Sequence, residues 1–288
     1  MNIGDFVPDF TSKWALDGVL WSKEDGLPDG LTYPLFAHLL DTAAVCLALW
    51  DLYMSEGQQR MFTAGLGLEP DSDTDRERAG SLLACWAGWH DLGKIGAYFQ
   101  VKVPAEFAQL RGYPPLSSEA RGLSHGEATQ LYLAVRLPSH GYDGGDGLPA
   151  ASPARRLAQL LGGHHGRVFP QPNRNRLRHP SLVIRMLGEG RWEEQRLAHL
   201  TAVAQAVGDP DPPEVLSVEA AVLAGEMVVL ADWLASQLPF VIDQLEHLSE
   251  PGDPALVVRH WEQAVAAGPG LVEDAGLGLP VWKETPVS

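Results

Sequence analysis

The segment "SVEAAVLAGEMVVLADWLASQL", residues 217–238, is long and apolar on several faces, yet it carries Asp232 deep within it. A helix that is apolar all round belongs in the interior of a fold. An ionised carboxylate in such a place is costly unless something cationic meets it. The chain therefore has to surround this helix with other elements and also supply a partner for Asp232.

The surrounding elements also read as helices. "YPLFAHLLDTAAVCLALWDLYM" has apolar residues at helical spacing and Pro34 suited to a first turn. "AGSLLACWAGWHDL" reads as a second helix, closed by Gly93 as a left-handed cap. "SHGEATQLYLAVRL" opens on Ser124 and Glu127, the S-x-x-E capping pattern, which puts His125 in the first turn. "PARRLAQLLGG" is a short helix stopped by Gly162 and Gly163, and "DPALVVRHWEQAVAAG" a last one. No run alternates convincingly as a strand. The predicted architecture is one all-α domain over residues 1–268, a helical bundle with long irregular loops at 57–78, 103–122, 138–152, 166–180 and 207–216. Residues 269–288 read as a tail or linker.

Charge narrows the function. The formal net charge of -16 over 288 residues opposes nucleic-acid binding by overall attraction. The segment from His164 to Arg185 is the exception, with Arg167, Arg174, Arg176, Arg178 and Arg185 and no acidic residue. Such a strip suits a local phosphate groove. The start of the chain has no basic region followed by an apolar run, and no uninterrupted apolar stretch reads as long enough to span a bilayer. Cys46 and Cys85 sit in apolar helical patterns, as buried thiols of a reducing compartment do. A cytoplasmic protein without a membrane partner is expected. "GWHDLGKI", residues 88–95, nearly matches a phosphate-binding loop, but Ile95 lacks the hydroxyl that holds magnesium and the preceding segment is helical. No organic cofactor is expected.

Five histidines and two aspartates then need a common explanation. His38, His90, His125, Asp91 and Asp232 each have an ordinary reading as hydrogen-bonded core or capping residues. The doublet His164–His165 after a Gly-Gly helix stop is less ordinary. Metal coordination accounts for all of them together, because imidazole and carboxylate suit manganese, iron, cobalt or nickel. Neighbouring helical residues point about 100° apart, so His90 and Asp91 can address one cluster from two directions. A carboxylate can bridge two ions, and seven ligands are too many for one ion with open positions.

The ordered set "HDLGKIGAYFQ", "LSHGEA", "LGGHHG" and "LADWLAS" resembles the HD phosphohydrolase superfamily and, more narrowly, the HD nuclease domain of type I CRISPR nuclease-helicases. The GGHHG form points within type I to subtype E. The resemblance spans residues 38 to about 236 and implies two divalent transition metal ions. His38, His90, Asp91 and Asp232 would hold the first, and Asp91 would bridge to a second held by His125, His164 and His165. Lys94, read as one helical turn from His90, would face the scissile phosphate, and Ser236 would contact substrate or a ligand. Asp41 would orient His38 or lie on the solvent face. The substrate implied is single-stranded DNA, with Arg174, Arg176 and Arg178 as backbone contacts. The implied partners are a superfamily 2 helicase, in cis or in trans, and a crRNA-guided surveillance complex (Cascade). No acceptable Walker A motif lies in these residues, so the chain reads as truncated before its helicase. The alternative is an HD phosphohydrolase acting on a nucleotide or a cyclic dinucleotide.

Overall fold

Side chains and prolines set most of the helix starts. In the computed structural model, which describes residues 16–28, 30–115, 117–145, 151–170, 172, 177–248 and 255–278, the elements are as follows. Helices α1 (Leu35–Leu52), α2 (Glu56–Gly65) and α3 (Asp73–Trp89) are followed by the single-turn α4 (Ala97–Gln100) and α5 (Pro104–Phe107). Then come α6 (His125–Arg136), α7 (Pro153–Gly162), α8 (Pro180–Leu187) and α9 (Arg191–Ala206). The last are α10 (Val218–Ala235), α11 (Leu238–His247) and α12 (Ala255–Asp274). Ser55, Ser72, Ser124 and Ser217 each accept an amide proton at the start of α2, α3, α6 and α10. Pro153 and Pro180 open α7 and α8, where a missing N–H costs nothing.

Among the described residues the only sheet is a ribbon of β1 (Trp21–Lys23) antiparallel to β2 (Tyr33–Pro34), so the all-α expectation holds apart from it. The buried Gln100 extends the ribbon: its side-chain oxygen accepts from the Trp21 amide at 3.3 Å and its nitrogen donates to the Trp21 carbonyl at 3.0 Å. Pro34 belongs to this ribbon. It precedes α1 in an extended conformation (φ -61°, ψ 140°) and is not in the first turn. The same φ suits both roles, and pairing with β1 decides ψ.

The centre of the fold is α1, with 15 of its 18 residues buried beneath α3, α10 and α12. By length and composition α1 could cross a membrane, which corrects the reading that no stretch was long enough. Its buried His38, Asp41 and Thr42 all have partners inside the fold. Helix α10, expected to be central, is buried on one face only; Val218, Val222 and Trp233 are exposed. These residues line a groove of about 890 Å³ between α7 and α10, which explains why α10 is apolar all round without being enclosed.

Other boundaries also move. Helix α2 occupies a segment read as loop, and α8 and α9 fall where the sequence reading draws no element. Helix α12 continues through Pro269 to Asp274 and does not stop at Gly268; the fully buried Val272 keeps its last turn docked on the core. Gly268 lets α12 lie close to α1, since a Cβ there would meet the Ala44 carbonyl at 3.2 Å. Residues 279–288 lie outside the described residues.

A buried polar cluster ties α12 to α1. Asp41 is fully buried; it accepts from His260 Nε2 at 2.8 Å and from the Tyr33 hydroxyl. Neither role expected for Asp41 is observed, because it faces α12 instead of His38 or solvent. Burial and then the Asp41 carboxylate push the Tyr33 hydroxyl well above its usual pKa, so it stays a donor. Breaking a buried pair on one side leaves an uncompensated polar group and costs about 3–5 kcal/mol. His260→Ala should therefore lower the unfolding free energy by about that much in a urea titration, whereas Arg60→Ala, at exposed pairs with Glu56 and Asp71, should change it by at most about 1 kcal/mol.

Candidate metal centre

Helix α3 ends one residue before His90, and that stop creates the centre. His90 is the C-cap residue, Asp91 leaves the helix at φ -110° and ψ 15°, and a 3-10 turn follows at Leu92–Lys94. The divergence of His90 and Asp91 thus comes from the end of the helix, not from helical rotation as the sequence reading assumed. Gly93 is not a left-handed cap either. A Cβ on it would lie 1.9 Å from the His125 carbonyl and 2.5 Å from the Thr129 amide, so its bareness lets the turn press against α6.

Two more glycines bring α7 to the same place. A Cβ on Gly126 would meet the Gly162 carbonyl at 2.5 Å, and one on Gly162 would meet the Gly126 carbonyl at 2.8 Å. The two backbones cross almost in contact. Gly126 follows His125, and Gly162 precedes His164–His165 by two residues, so this crossing delivers three imidazoles to one spot.

The structure brings all seven candidate ligands together. Asp91 Oδ2 lies 3.3 Å from both His38 Nε2 and His90 Nε2. Asp232 Oδ1 lies 3.3 Å from His38 Nε2 and 3.4 Å from His90 Nε2. The other oxygen, Asp91 Oδ1, faces His164 Nε2 at 3.4 Å and His125 Nε2 at 3.5 Å. His165 Nε2 approaches His125 Nε2 to 2.8 Å. One carboxylate therefore has a separate ligand group on each oxygen.

The donor set fits cations. His90 and His164 each place Nδ1 2.6 Å from a backbone carbonyl three residues back, Ala87 and Leu161 respectively. A carbonyl can only accept, so Nδ1 carries the proton and the Nε2 lone pair points inward. His90 Nε2, His164 Nε2 and Asp91 Oδ1 are buried without any hydrogen-bond partner. Buried acceptors facing one another are unfavourable unless a positive charge lies between them, and this arrangement is one that binds divalent metal.

Electrostatics agree. Burial pushes the His90 imidazolium down, but the Asp91 and Asp232 carboxylates more than offset it, and the group is raised to about 10. Burial pulls His125 down to about 3 and also lowers His165. Burial works against ionisation of Asp91, yet Lys94, His90 and His125 hold it well below the usual carboxylate range. Asp232 is likewise lowered, by His90 and His38 against burial. Both carboxylates are ionised, and without metal a second proton occupies His90 Nε2, between the Asp91 and Asp232 oxygens where a cation would replace it.

Lys94 pairs with Asp91 Oδ2 at 2.6 Å and donates to the Ser22 carbonyl at 3.0 Å; it stands three residues from Asp91 on the 3-10 turn, not on the α3 helix. Ser236 Oγ donates to Asp232 Oδ1 at 3.2 Å, and its carbonyl accepts from Lys23 Nζ at 2.8 Å. Arg178 is exposed beside α8, and Arg174 and Arg176 lie outside the described residues. Sequence reasoning missed three buried side chains that hold the centre from a distance. Gln100 donates to the Lys94 carbonyl, Arg196 donates to the Ile95 carbonyl at 2.8 Å, and Thr129 bonds both His90 and Gly93. None has a local signature, since each acts on backbone that folding alone brings near.

A helical domain whose buried His–Asp dyad is joined by a second aspartate and further imidazoles defines the HD class of metal-dependent phosphohydrolase domains. The family profile described as "Cas3, HD domain" matches residues 21–241. The chain belongs to the Cas3 HD domain family, a family of hydrolytic nucleases. The CRISPR-associated endonuclease/helicase Cas3 of Thermus thermophilus is 34% identical over 223 residues, which are 75% of this chain and 22% of that protein. The crystal structure of T. fusca Cas3 superposes with a TM-score of 0.78 at 36% identity, over 92% of this chain and 28% of that one. The Thermus thermophilus cas3 HD domain, solved in the presence of Ni2+, has a TM-score of 0.59 at 26% identity and 93% coverage of both chains. This chain thus spans about a quarter of the length of the full-length Cas3 proteins it matches.

Because metal must displace the His90 proton, divalent-ion affinity should rise with pH and fall about tenfold per unit of acidification where one proton is exchanged. Calorimetry of Ni2+ binding in buffers of different ionisation enthalpy should register this release. An affinity constant from pH 6 to 9 would contradict the assignment.

Proposed function

We propose that this domain is a metal-dependent nuclease that hydrolyses phosphodiester bonds of single-stranded DNA in CRISPR interference, at a two-ion centre. The observation that carries this reading is the two-sided Asp91 carboxylate. His38, His90, Asp91 and Asp232 would hold the first ion, and Asp91, His125, His164 and His165 the second. Manganese, iron, nickel and cobalt all suit these donors. Divalent ions supply Lewis acidity here, polarising a phosphodiester and acidifying water.

The chain's own groups do the rest. Backbone carbonyls hold a proton at Nδ1 of His90 and of His164, which leaves Nε2 of each as the atom that faces a metal. Ser236 holds Asp232 through Oδ1, the orienting hydrogen bond that metal-binding carboxylates commonly receive. Lys94, tethered at Ser22, can offset negative charge growing on a bound phosphate. No serine or cysteine nucleophile is needed; Cys46 and Cys85 are buried, and burial raises both thiols.

The net charge of -16 disfavours unaided capture of DNA, and the nuclease/helicase relatives extend well beyond this domain. We therefore assign strand delivery to a superfamily 2 helicase, with the residues beyond α12 as the connection, and to a crRNA-guided surveillance complex of subtype E. The arginines at 174, 176 and 178 would track the backbone. Action in the cytoplasm follows from the same reading.

His90→Ala and Asp91→Ala should each reduce Mn2+-supported cleavage of single-stranded DNA by more than the 10- to 100-fold (roughly) typical of outer-shell losses, with helical circular dichroism unchanged. Cleavage at the parental rate would refute the catalytic assignment. Rapid hydrolysis of cyclic dinucleotides with no action on DNA would replace the nuclease by a small-molecule phosphohydrolase. Replacing the three arginines by alanine should flatten the salt dependence of DNA binding by about two units of slope, at about 0.7 per phosphate contact.

A further inference from the structure

Thr129 stands four residues after His125 on α6 and is fully buried. Its hydroxyl accepts the Gly93 amide proton at 2.9 Å and donates to the His90 carbonyl at 3.0 Å. Those two backbone groups bracket Asp91. One hydroxyl therefore stitches both ends of the turn that carries Asp91 to the helix that carries His125. A Cβ on Gly93 would also lie 2.6 Å from this Oγ1, so the contact exists only because residue 93 is glycine.

We propose that Thr129 is a positioning residue of the metal centre: its hydroxyl sets the register between the turn at Asp91 and helix α6, and so fixes how Asp91 Oδ1 meets His125, His164 and His165. His38 and Asp232 belong to α1 and α10, His90 caps α3, and these three helices pack on one another directly. The remaining imidazoles belong to α6 and the end of α7, which cross at Gly126 and Gly162. Asp91 serves both groups, and of its neighbours in the turn two are bound by a single side chain from the second group. Without that hydroxyl the His90 carbonyl and Gly93 amide lose their common partner, and the turn is free to shift against α6. The His125 side should then lose affinity while the His38 side keeps it. This inference rests on the two-ion reading.

The test is calorimetric titration of the full chain with Mn2+, comparing the parent with Thr129→Val, Thr129→Ala and Thr129→Ser. The parental isotherm examines the two-ion reading alone: two resolvable sites support it, and a single site refutes it before any variant is considered. Given two sites, Thr129→Val and Thr129→Ala should weaken one of them by about 10- to 100-fold, the loss typical of removed ligand-orienting partners. The other site should stay within about twofold of the parent, against that same scale. Thr129→Ser, which keeps the hydroxyl, should restore parental binding. Equal weakening of both sites, parental binding in Thr129→Ala, or failure of Thr129→Ser to rescue would each overturn the proposal. Should Thr129→Val not fold, amide exchange in the unaltered protein decides independently: the Gly93 amide should be strongly protected, and fast exchange there would also overturn it.

Discussion

A carboxylate buried with unlike partners on its two oxygens is the constraint around which this domain is built. Asp91 Oδ2 faces His38 and His90, and Asp91 Oδ1 faces His125 and His164. In a low-dielectric interior such a group is stable only with positive charge nearby. Lys94 provides one, and the unpartnered imidazole nitrogens mark where others belong. Placing Asp91 there requires α3 to stop at Trp89, and a turn tight enough to swing the side chain between two helix groups.

The rest of the packing serves that turn. Gly93 gives up a side chain so that α6 can come within backbone contact, and the Gly126–Gly162 crossing draws α7 in behind it. Gln100 and Arg196 donate to the carbonyls of Lys94 and Ile95 at the end of the 3-10 turn. On the other side, the Asp41–His260–Tyr33 cluster locks α12 across α1, the helix that carries His38. The polar interior thus adds long-range ties to local ones such as those that fix His90 and His164, which is how a helical domain with long loops holds seven candidate ligands within reach of one another.

Membership of the Cas3 HD domain family gives this arrangement its biochemical meaning, that of a hydrolytic nuclease domain. A centre rich in imidazole and backed by Lys94 is locally suited to phosphate. The domain around it, at a net charge of -16, is not. The Cas3 proteins this chain matches are about three times as long.

The seven side chains that the fold gathers were legible as a group in the amino-acid order, because expensive polar side chains in apolar helices demand a common reason, and metal is one that would cover His38, His90–Asp91, His125, His164–His165 and Asp232 at once. Helix class was legible for the same kind of reason, from periodicity and from serine and proline starts. The sequence did not reveal that Asp91 leaves its helix, that Gly93 serves packing in place of a cap, that Asp41 answers to His260, or that Thr129, Gln100 and Arg196 hold the turn. Each of those depends on which atoms arrive beside a residue from 6 to 219 positions away. Composition and periodicity determine what must be buried and what must be paired; the partner itself is chosen only when helices settle into contact, because hydrogen bonds and close backbone approaches act over a few ångströms in space and are blind to distance along the chain.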